Sequence, residues 1–388
     1  MHVLKLSDVY FPRINGVSTS IETFRQALAE HQVRVTVVAP NYPGGLEAEG
    51  VIRLPSRRVP LDPEDRLMHR AALHRLPVQL ADAGIDLVHV QTPFAAHYAG
   101  LRLAKSLSVP CVATYHTHFE EYLSHYIRFL PRAALRNVAR RLARSQCNAL
   151  DAVVVPSTPM AETLREYGVT TPMHVIPTGL DDAQFTPGDG RRFRHVHAIG
   201  PERKIALFVG RAAFEKNIGF LLEVAAIARR SRPDLLLVVA GEGPALAALQ
   251  RQAAQLGLAD HVRFVGYLPR ATGLKDCYAA ADLFVFASLT ETQGLVLLEA
   301  MALGVPVLAI PALGAAEIVR PERGAIAAPR DVAAFAAELV SLLDNPTVLA
   351  AIGAAGIGFA REWDAGGQAA KLATVYRSLL SSKRKHAS

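Results

Sequence analysis

The hydrophobic pattern of residues 281–310 changes its period twice, and this constrains the fold more than any other part of the chain. Residues 283–286 form a short apolar run of the kind found in a buried parallel strand. After a polar loop, apolar residues recur with helical spacing from Leu295 until Gly304 ends the helix. Residues 307–310 begin another strand. This strand, helix, strand order predicts a parallel sheet covered by helices.

Two glutamates of this segment are candidate ligand contacts. Glu291 lies in the loop after the strand, and Glu299 lies inside the helix among apolar neighbours. Ligands of open α/β sheets bind at the carboxyl ends of the strands, where a carboxylate can accept hydrogen bonds from paired sugar or nucleoside hydroxyls. The alternative is a favourable helix N-terminal charge at Glu291 and a solvated side chain at Glu299. The apolar neighbours of Glu299 favour the ligand-binding interpretation, because a buried carboxylate usually has a partner.

Length and composition limit the class of protein. A chain of 388 residues fits two domains of fewer than about 200 residues each. Residues 1–10 have the alternation of a first strand rather than a signal peptide, and the longest uncharged run, 300–316, is interrupted by glycine and proline. The three cysteines are widely spaced and show no metal-ligand pattern, which favours a reducing cytoplasm and no structural zinc.

The net charge of +7 indicates anionic partners, and arginines are concentrated in a segment without a single acid. These arginines are Arg128, Arg132, Arg136, Arg140, Arg141 and Arg144. A helix is predicted over residues 130–150, with Leu135, Val138 and Leu142 as its buried stripe. Its arginines form either a solvated face or a peripheral membrane surface, where each basic residue contributes about 1 kcal/mol. Nucleic acid ranks third, since no binding module accompanies the charge.

The first half of the chain begins with a second strand, helix, strand pattern. Strands are predicted at 3–6 and 33–39 around a helix at 18–30, as in a doubly wound sheet. Gly16 precedes this helix, where it either forms a turn or lets backbone N–H groups approach a phosphate. The Gly-x-Gly-x-x-Gly fingerprint is missing here, so a nicotinamide-dependent dehydrogenase loses its main support.

His116 follows a predicted strand at 110–114, at the carboxyl edge where ligand-facing residues occur. A single histidine in such a place is often structural. Because three histidines and three tyrosines lie between residues 115 and 126, a ligand-facing role for His116 is as well supported as a structural one. Hydroxyl or phosphate recognition is favoured over a metal, because no third or fourth ligand has a usable spacing.

The second half repeats the pattern. A strand at 204–209 is followed by a loop with Arg211 and Lys216 and by a helix at 218–230. A guanidinium and an ammonium between a strand end and a helix N-terminus suit a diphosphate, although two basic loop residues alone would mean little. Turn-forming residues place the domain boundary between 185 and 190, so we expect domains over 1–185 and 190–362 and a final amphipathic helix over 363–380.

The sequence resembles the retaining nucleotide-sugar glycosyltransferases of family 4 over nearly its whole length. The motifs that carry the resemblance are Gly210-Arg211 with Glu215-Lys216-Asn217, Glu291-x7-Glu299, Asn15-Gly16, Tyr115-His116-Thr117 and Ile176 to Asp181. The resemblance implies the GT-B fold, in which two Rossmann-like doubly wound parallel-sheet domains face each other across a cleft. It also implies that the second domain holds the donor, the first holds the acceptor, and the last helix packs back on the first.

The resemblance implies a role for each candidate residue. Arg211 and Lys216 would bind the donor diphosphate, which Gly16 would approach from the other domain. Glu299 would accept hydrogen bonds from the ribose, and His116 would lie near the donor sugar and the acceptor. The transferred sugar would be held by Glu291 and by backbone N–H groups near Gln293, Gly294 and Leu295. Catalysis would therefore rest on His116, Glu291, Arg211 and Lys216.

Gln293 stands where the wider family often has phenylalanine. This departure, and the pattern from His116 to Tyr126, resemble the branch that acts on diacylglycerol lipids. We therefore predict a retaining, metal-independent hexosyltransferase without a cofactor, which uses a nucleotide-sugar, preferably a UDP-sugar, and a hydroxyl acceptor such as diacylglycerol. The enzyme would be cytoplasmic and could bind peripherally to the inner face of the cell membrane. No nucleic-acid partner is expected.

Three alternatives stay open at this point. The first is a GDP-mannose-dependent α-mannosyltransferase, and the second is a sugar-nucleotide epimerase or phosphorylase on the same fold. The third is a nucleotide-binding protein without catalytic activity. Release of nucleoside diphosphate that depends on an added acceptor would separate a transferase from the last two.

Overall fold

The computed structural model describes residues 1–43, 48–59, 62–116, 132–270 and 272–387. The chain divides into two compact units. Unit 1 comprises Met1–Gly179 and Ala365–Ser388, and unit 2 comprises Leu180–Asp364.

Unit 1 is built on a seven-stranded parallel sheet with the order β3-β2-β1-β6-β7-β8-β9. Its strands are β1 (His2–Leu6), β2 (Arg34–Pro40), β3 (Val51–Leu54), β6 (Leu87–Val90), β7 (Cys111–Thr114), β8 (Ala152–Val155) and β9 (Met173–Val175). A separate antiparallel hairpin contains β4 (Ser56–Val59) and β5 (Asp62–Met68). The helices of unit 1 that precede its C-terminal helix are α1 (Gly16–Ala27), α2 (Arg70–Gln79), α3 (Ala95–Leu107), α4 (Arg132–Cys147) and α5 (Thr158–Glu166).

The loops after β1 and β6 are tied together at the point where the strand order reverses. The backbone N–H of Ala96, in the first turn of α3, donates to a carboxylate oxygen of Asp8 at 3.1 Å. The hydroxyl of Thr92 donates to the same carboxylate at 2.7 Å. An aspartate that follows one strand therefore stabilises the start of the helix that follows its neighbour, as expected for a negative charge at a helix N-terminus.

The C-terminal helix (Ala365–Ala387) belongs to unit 1 and buries Leu372 and Tyr376 there. His89, in the central strand β6, forms hydrogen bonds through both ring nitrogens. Its Nδ1 lies 2.6 Å from the Tyr376 hydroxyl, and its Nε2 lies 2.7 Å from the Thr114 hydroxyl. These contacts satisfy a fully buried imidazole and fix the helix against the sheet.

Helix α4 differs from the predicted amphipathic pattern. Leu135 is buried as expected, but Val138 is 57% exposed, and the buried stripe continues through Ala139 and Ala143 instead. Residues four apart share a helix face, and alanine lets that face lie close to its neighbours. The larger valine is on the outward side with the arginines, so its predicted burial is wrong.

Unit 2 contains a six-stranded parallel sheet with the order β12-β11-β10-β13-β14-β15. Its strands are β10 (Lys204–Val209), β11 (Leu235–Ala240), β12 (Val262–Gly266), β13 (Leu283–Phe286), β14 (Val307–Ala309) and β15 (Ala325–Ala327). Its helices are α6 (Gly190–Val196), α7 (Ile218–Ala228), α8 (Leu246–Gln255), α9 (Gly273–Ala280), α10 (Leu295–Ala302), α11 (Ala315–Ile318), α12 (Val332–Leu343) and α13 (Pro346–Arg361). The prediction of a doubly wound parallel sheet is confirmed for each unit.

Within the described ranges, no single helix has the length and apolar composition needed to cross a membrane. Helices α12 and α13 reach that composition only jointly, and they are bent by 95°. Phe335 of α12 and Phe359 of α13 are buried in the core of unit 2.

Candidate functional site

The loops that follow β10 and β13 meet at the carboxyl edge of the unit 2 sheet. These two strands are neighbours, although β11 and β12 lie between them in sequence, so the strand order reverses at this point. The Lys216 ammonium lies 2.7 Å from a carboxylate oxygen of Glu291. The Asn217 side-chain amide donates to the carbonyl of Ala287 at 3.2 Å. The fold therefore brings together a cation and a carboxylate where ligands of such sheets bind.

The Glu291 carboxylate is held in its ionised form. Burial alone would raise its pKa, but the charge and hydrogen bond of Lys216 oppose this, as do backbone N–H groups of Gln293 and Gly294. The net result is a pKa below the ordinary glutamate value. Glu291 is consequently a hydrogen-bond acceptor at neutral pH, with its orientation fixed from two sides.

Gly294 shapes the start of α10. Its φ of 94° lies in the left-handed region, which disfavours every residue with a Cβ. An added Cβ would also lie 3.1 Å from the Leu297 side chain and 3.3 Å from that of Ile318. Because Leu295 is the first helical residue, this turn places the helix N-terminus directly after the Glu291 loop. Backbone N–H groups at a helix N-terminus can donate to anionic or hydroxyl-bearing ligands.

Glu299 is buried on α10 and is surrounded by donors. Its carboxylate accepts hydrogen bonds from the Tyr278 hydroxyl at 3.1 Å and from the Gln184 amide at 3.3 Å. It also forms an ion pair with the guanidinium of Arg270. The attraction of Glu299 is the main reason why the pKa of Arg270 is raised. A carboxylate has about four acceptor positions, so these three partners leave room for one further donor.

Arg270 is the functional candidate that the sequence did not reveal. It lies 29 residues from Glu299 in a short loop after β12, and no motif connects the two. The apolar neighbours of Glu299 pointed only to the existence of a partner. A Pro-Arg dipeptide gives no signal of its own, because arginine is common in surface loops.

Arg211 follows Gly210 at the end of β10, at the opposite end of the same loop from Lys216. The N–H of Ala212 donates to the Glu242 carbonyl at 2.8 Å, which packs this loop against the one that follows β11. Unit 2 thus carries Arg211, Lys216, Glu291, Gln293, Gly294, Leu295 and Glu299 on two adjoining loops and one helix.

Gly16 and His116 belong to unit 1. Asn15 caps α1 by accepting from the backbone N–H of Ser18 at 2.9 Å, so Gly16 lies in the first helical turn. A Cβ added at Gly16 would meet no atom within 4 Å. Packing in unit 1 therefore does not require glycine here, whereas a close backbone approach by a ligand would.

His116 lies beyond the end of β7, and its Nε2 is 3.0 Å from the amide oxygen of Gln91. Desolvation of the imidazole lowers its pKa to about 3, and the nearby charge of Lys5 adds to the effect. His116 is therefore neutral at physiological pH. Tyr115 of the predicted cluster is buried. The remaining members, His118, Tyr122, His125 and Tyr126, lie outside the described residues.

The part of the chain that the structure describes contains no group of three or more His, Cys, Asp or Glu side chains placed to hold a metal ion.

Family models match both units. The model described as "Glycosyltransferase Family 4" matches residues 14–184, and "Glycosyl transferases group 1" matches residues 189–358. An alpha-monoglucosyldiacylglycerol synthase of Streptococcus pneumoniae is 34% identical over 319 residues, which are 80% of this chain and 71% of that protein. A GDP-mannose-dependent alpha-mannosyltransferase of Mycolicibacterium smegmatis is 31% identical over 332 residues, 83% of each chain.

Solved structures share the fold. Sucrose-phosphate synthase from Thermosynechococcus elongatus superposes with a TM-score of 0.79 at 23% identity, covering 98% of this chain and 99% of that one. Anabaena Alr3699/HepE in complex with UDP-glucose superposes with a TM-score of 0.77 at 18% identity, covering 97% of this chain and 100% of that one.

Replacement of Arg270 by glutamine should weaken the binding of nucleoside diphosphates by about tenfold or more, because hydrogen bonds to charged groups are among the stronger ones. The variant leaves the buried Glu299 carboxylate without its cation. Arg270→Lys keeps a positive charge and should lose less affinity for nucleoside diphosphates. Isothermal titration with UDP and GDP measures the effect. Equal binding by Arg270→Gln would show that Arg270 does not position Glu299 for the ligand, and tighter binding would show that Arg270 competes with the ligand.

Proposed function

This chain belongs to glycosyltransferase family 4, and we propose that it transfers a hexose from a UDP-sugar to the free hydroxyl of a diacylglycerol lipid. The observation that carries the donor assignment is the contact of Lys216 with Glu291 beside the N-terminus of α10. The similarity to a synthase whose name specifies a monoglucosyldiacylglycerol product supports the choice of lipid and sugar.

The diphosphate is assigned to Arg211 and Lys216. When the anomeric C–O bond breaks, negative charge accumulates on the departing nucleoside diphosphate, and fixed cations and helix N-termini stabilise it. Lys216 can serve in this way without leaving Glu291, since an ammonium has three donors and the carboxylate uses one of them. The ion pair thus keeps the ammonium at the sheet edge before the donor arrives.

The transferred sugar is assigned to Glu291 and to the N–H groups near Gln293, Gly294 and Leu295. An ionised carboxylate accepts hydrogen bonds from sugar hydroxyls, and backbone N–H groups donate to them. The lowered pKa of Glu291 keeps this acceptor available over the whole neutral range. The remaining acceptor position of Glu299 is assigned to a ribose hydroxyl, and Arg270 and Tyr278 hold the carboxylate in place.

Retention of the anomeric configuration follows from attack on the face from which the diphosphate departs. The bond between the anomeric carbon and the phosphate oxygen breaks, the bond to the acceptor oxygen forms, and the acceptor proton moves to the departing phosphate oxygen. His116 is a poor base for that proton, because its pKa of about 3 is far below neutrality. Its proposed role is to orient a hydroxyl of the sugar or acceptor through a neutral hydrogen bond.

A radiolabelled transfer assay tests this proposal. The protein is incubated with UDP-glucose or GDP-mannose and with vesicles that contain or lack diacylglycerol, and label is counted in the organic phase. We expect labelled lipid and free UDP only when UDP-glucose and diacylglycerol are both present. Labelled lipid from GDP-mannose alone would favour a mannosyltransferase. UDP release without diacylglycerol, and no labelled lipid, would contradict a lipid acceptor.

A lipid acceptor requires access to a membrane surface, and we propose that the outer face of α4 provides it. Arg136, Val138 and Arg141 are exposed on this helix. Arg140 and Arg144 have structural contacts as well, since the Arg140 guanidinium lies 5.2 Å from the centre of the Tyr167 ring and Arg144 packs near Gly168. Arg136 and Arg141 are both exposed on the outer face of the helix and are the two arginines to replace. Arg128 of the predicted surface lies outside the described residues.

The double variant Arg136→Gln/Arg141→Gln should sediment less with phosphatidylglycerol vesicles than the parent, because each basic residue near an anionic surface contributes about 1 kcal/mol. Binding of the parent should fall as salt rises, and phosphatidylcholine vesicles should not bind it. The variant Arg191→Gln/Arg251→Gln removes the same charge from exposed positions of unit 2 and is the control. If both double variants sediment with phosphatidylglycerol vesicles to the same reduced extent, α4 is not the membrane surface.

A further inference from the structure

Unit 1 contains a cavity at the carboxyl ends of β6 and β7. Its volume is about 30 Å³, which holds about two groups of the size of a water molecule. Polar side chains from three parts of unit 1 line it, namely Gln91, His97, Thr114, His116 and Gln146. Val90, Ala113 and Leu150 contribute apolar wall. The cavity therefore suits a small polar group that is attached to an apolar chain.

Gln91 has an unsatisfied donor in this cavity. Its side chain is only 3% exposed, and its position is fixed by a backbone hydrogen bond of 2.8 Å to the Leu6 carbonyl. The amide oxygen is bonded to His116, but the amide nitrogen is buried and has no hydrogen-bond partner in the described structure. Buried donors without a partner are rare, because they lose their hydrogen bond to water and gain none in return. This donor therefore indicates a missing acceptor group.

The electrostatic character of the cavity excludes a charged ligand. His97 is buried in the first turns of α3, and desolvation lowers its pKa to about 4. His116 is neutral as well, and Gln146 is an amide. A phosphate or carboxylate would meet no counter-charge among these lining groups and would lose its hydration. A neutral acceptor of hydrogen bonds is the group that the amide nitrogen of Gln91 can satisfy.

We propose that this cavity binds an ester carbonyl of the lipid acceptor, with the amide nitrogen of Gln91 as its donor. The inference rests on the proposed diacylglycerol acceptor and specifies how that lipid is recognised. A carbonyl accepts hydrogen bonds and donates none, and its carbon and oxygen match the room for about two small groups.

The position of α4 agrees with this assignment. Gln146 and Cys147, at the end of the helix proposed to face the membrane, also line the cavity. An acyl chain that leaves the carbonyl would pass along the apolar wall. Gln91 would then distinguish acylated from alkylated glycerol, because the ether lacks the carbonyl oxygen and its remaining oxygen lies closer to the glycerol backbone.

The test compares dioleoylglycerol with its di-O-oleyl ether, which lacks both carbonyls, in mixed detergent micelles with saturating UDP-glucose. We expect the parent to favour the ester by about tenfold in kcat/KM, since one hydrogen bond to a neutral group is lost with the ether. Gln91→Met has a side chain of similar length without a donor. Because the Gln91 amide oxygen also contacts His116, the variant should lower kcat/KM for both lipids, but for the ester by about tenfold more, and so abolish the preference.

Gln146→Met is the matched control. Gln146 lines the same cavity, but its amide nitrogen already donates to the Pro93 carbonyl at 2.8 Å. The Gln146→Met variant should therefore keep the preference for the ester. A general disturbance of His116 by Gln91→Met would lower the rates with both lipids equally and leave their ratio intact.

Equal rates of the parent with the two lipids would overturn the carbonyl assignment, and so would an unchanged preference in Gln91→Met. Neither result would affect the proposed function. Failure of the parent to use either lipid, with UDP binding intact, would instead remove the glycerolipid acceptor and this inference with it.

Discussion

The ion pair between Lys216 and Glu291 is the interaction on which the proposed site depends. It joins two loops that are 75 residues apart in sequence, and it can form only because β10 and β13 are neighbours in the sheet. Without the ammonium, less would oppose the effect of burial, and the pKa of Glu291 would rise from its lowered value. Without the carboxylate, the ammonium would lack a fixed position. Each group therefore prepares the other for a donor that carries both a diphosphate and hydroxyls.

The sheet of unit 2 was predictable because its strands are buried on both faces. Continuous apolar runs gave the bounds of β10 and β13 without error, and the change to helical period gave the start of α10 at Leu295. The candidate carboxylates could be recognised for the same reason. A charged residue in an apolar run, such as Glu299, is conspicuous, and a loop after a buried strand lies at the edge where ligands bind.

Other features depend on contacts that are distant in sequence and leave no local pattern. Arg270 could not be assigned to Glu299, because nothing in its own loop distinguishes it from a surface arginine. Val138 was misplaced on α4, since hydrophobicity ranks valine above alanine, whereas close packing selected Ala139. The cavity beside Gln91 arises where two strands and two helices meet, so it has no counterpart in the sequence. Short edge strands such as β15 carry too few residues to show a period.

The role of Lys216 is tested most directly by single-turnover kinetics of Lys216→Met with UDP-glucose and diacylglycerol. The charge on the diphosphate grows toward the transition state, so the rate of transfer should fall by about a hundredfold or more while UDP-glucose binding weakens much less. Lys105→Met, at an exposed position of unit 1, should transfer at the parent rate. A transfer rate of Lys216→Met close to that of the parent would contradict the assignment of the diphosphate to this edge of the sheet.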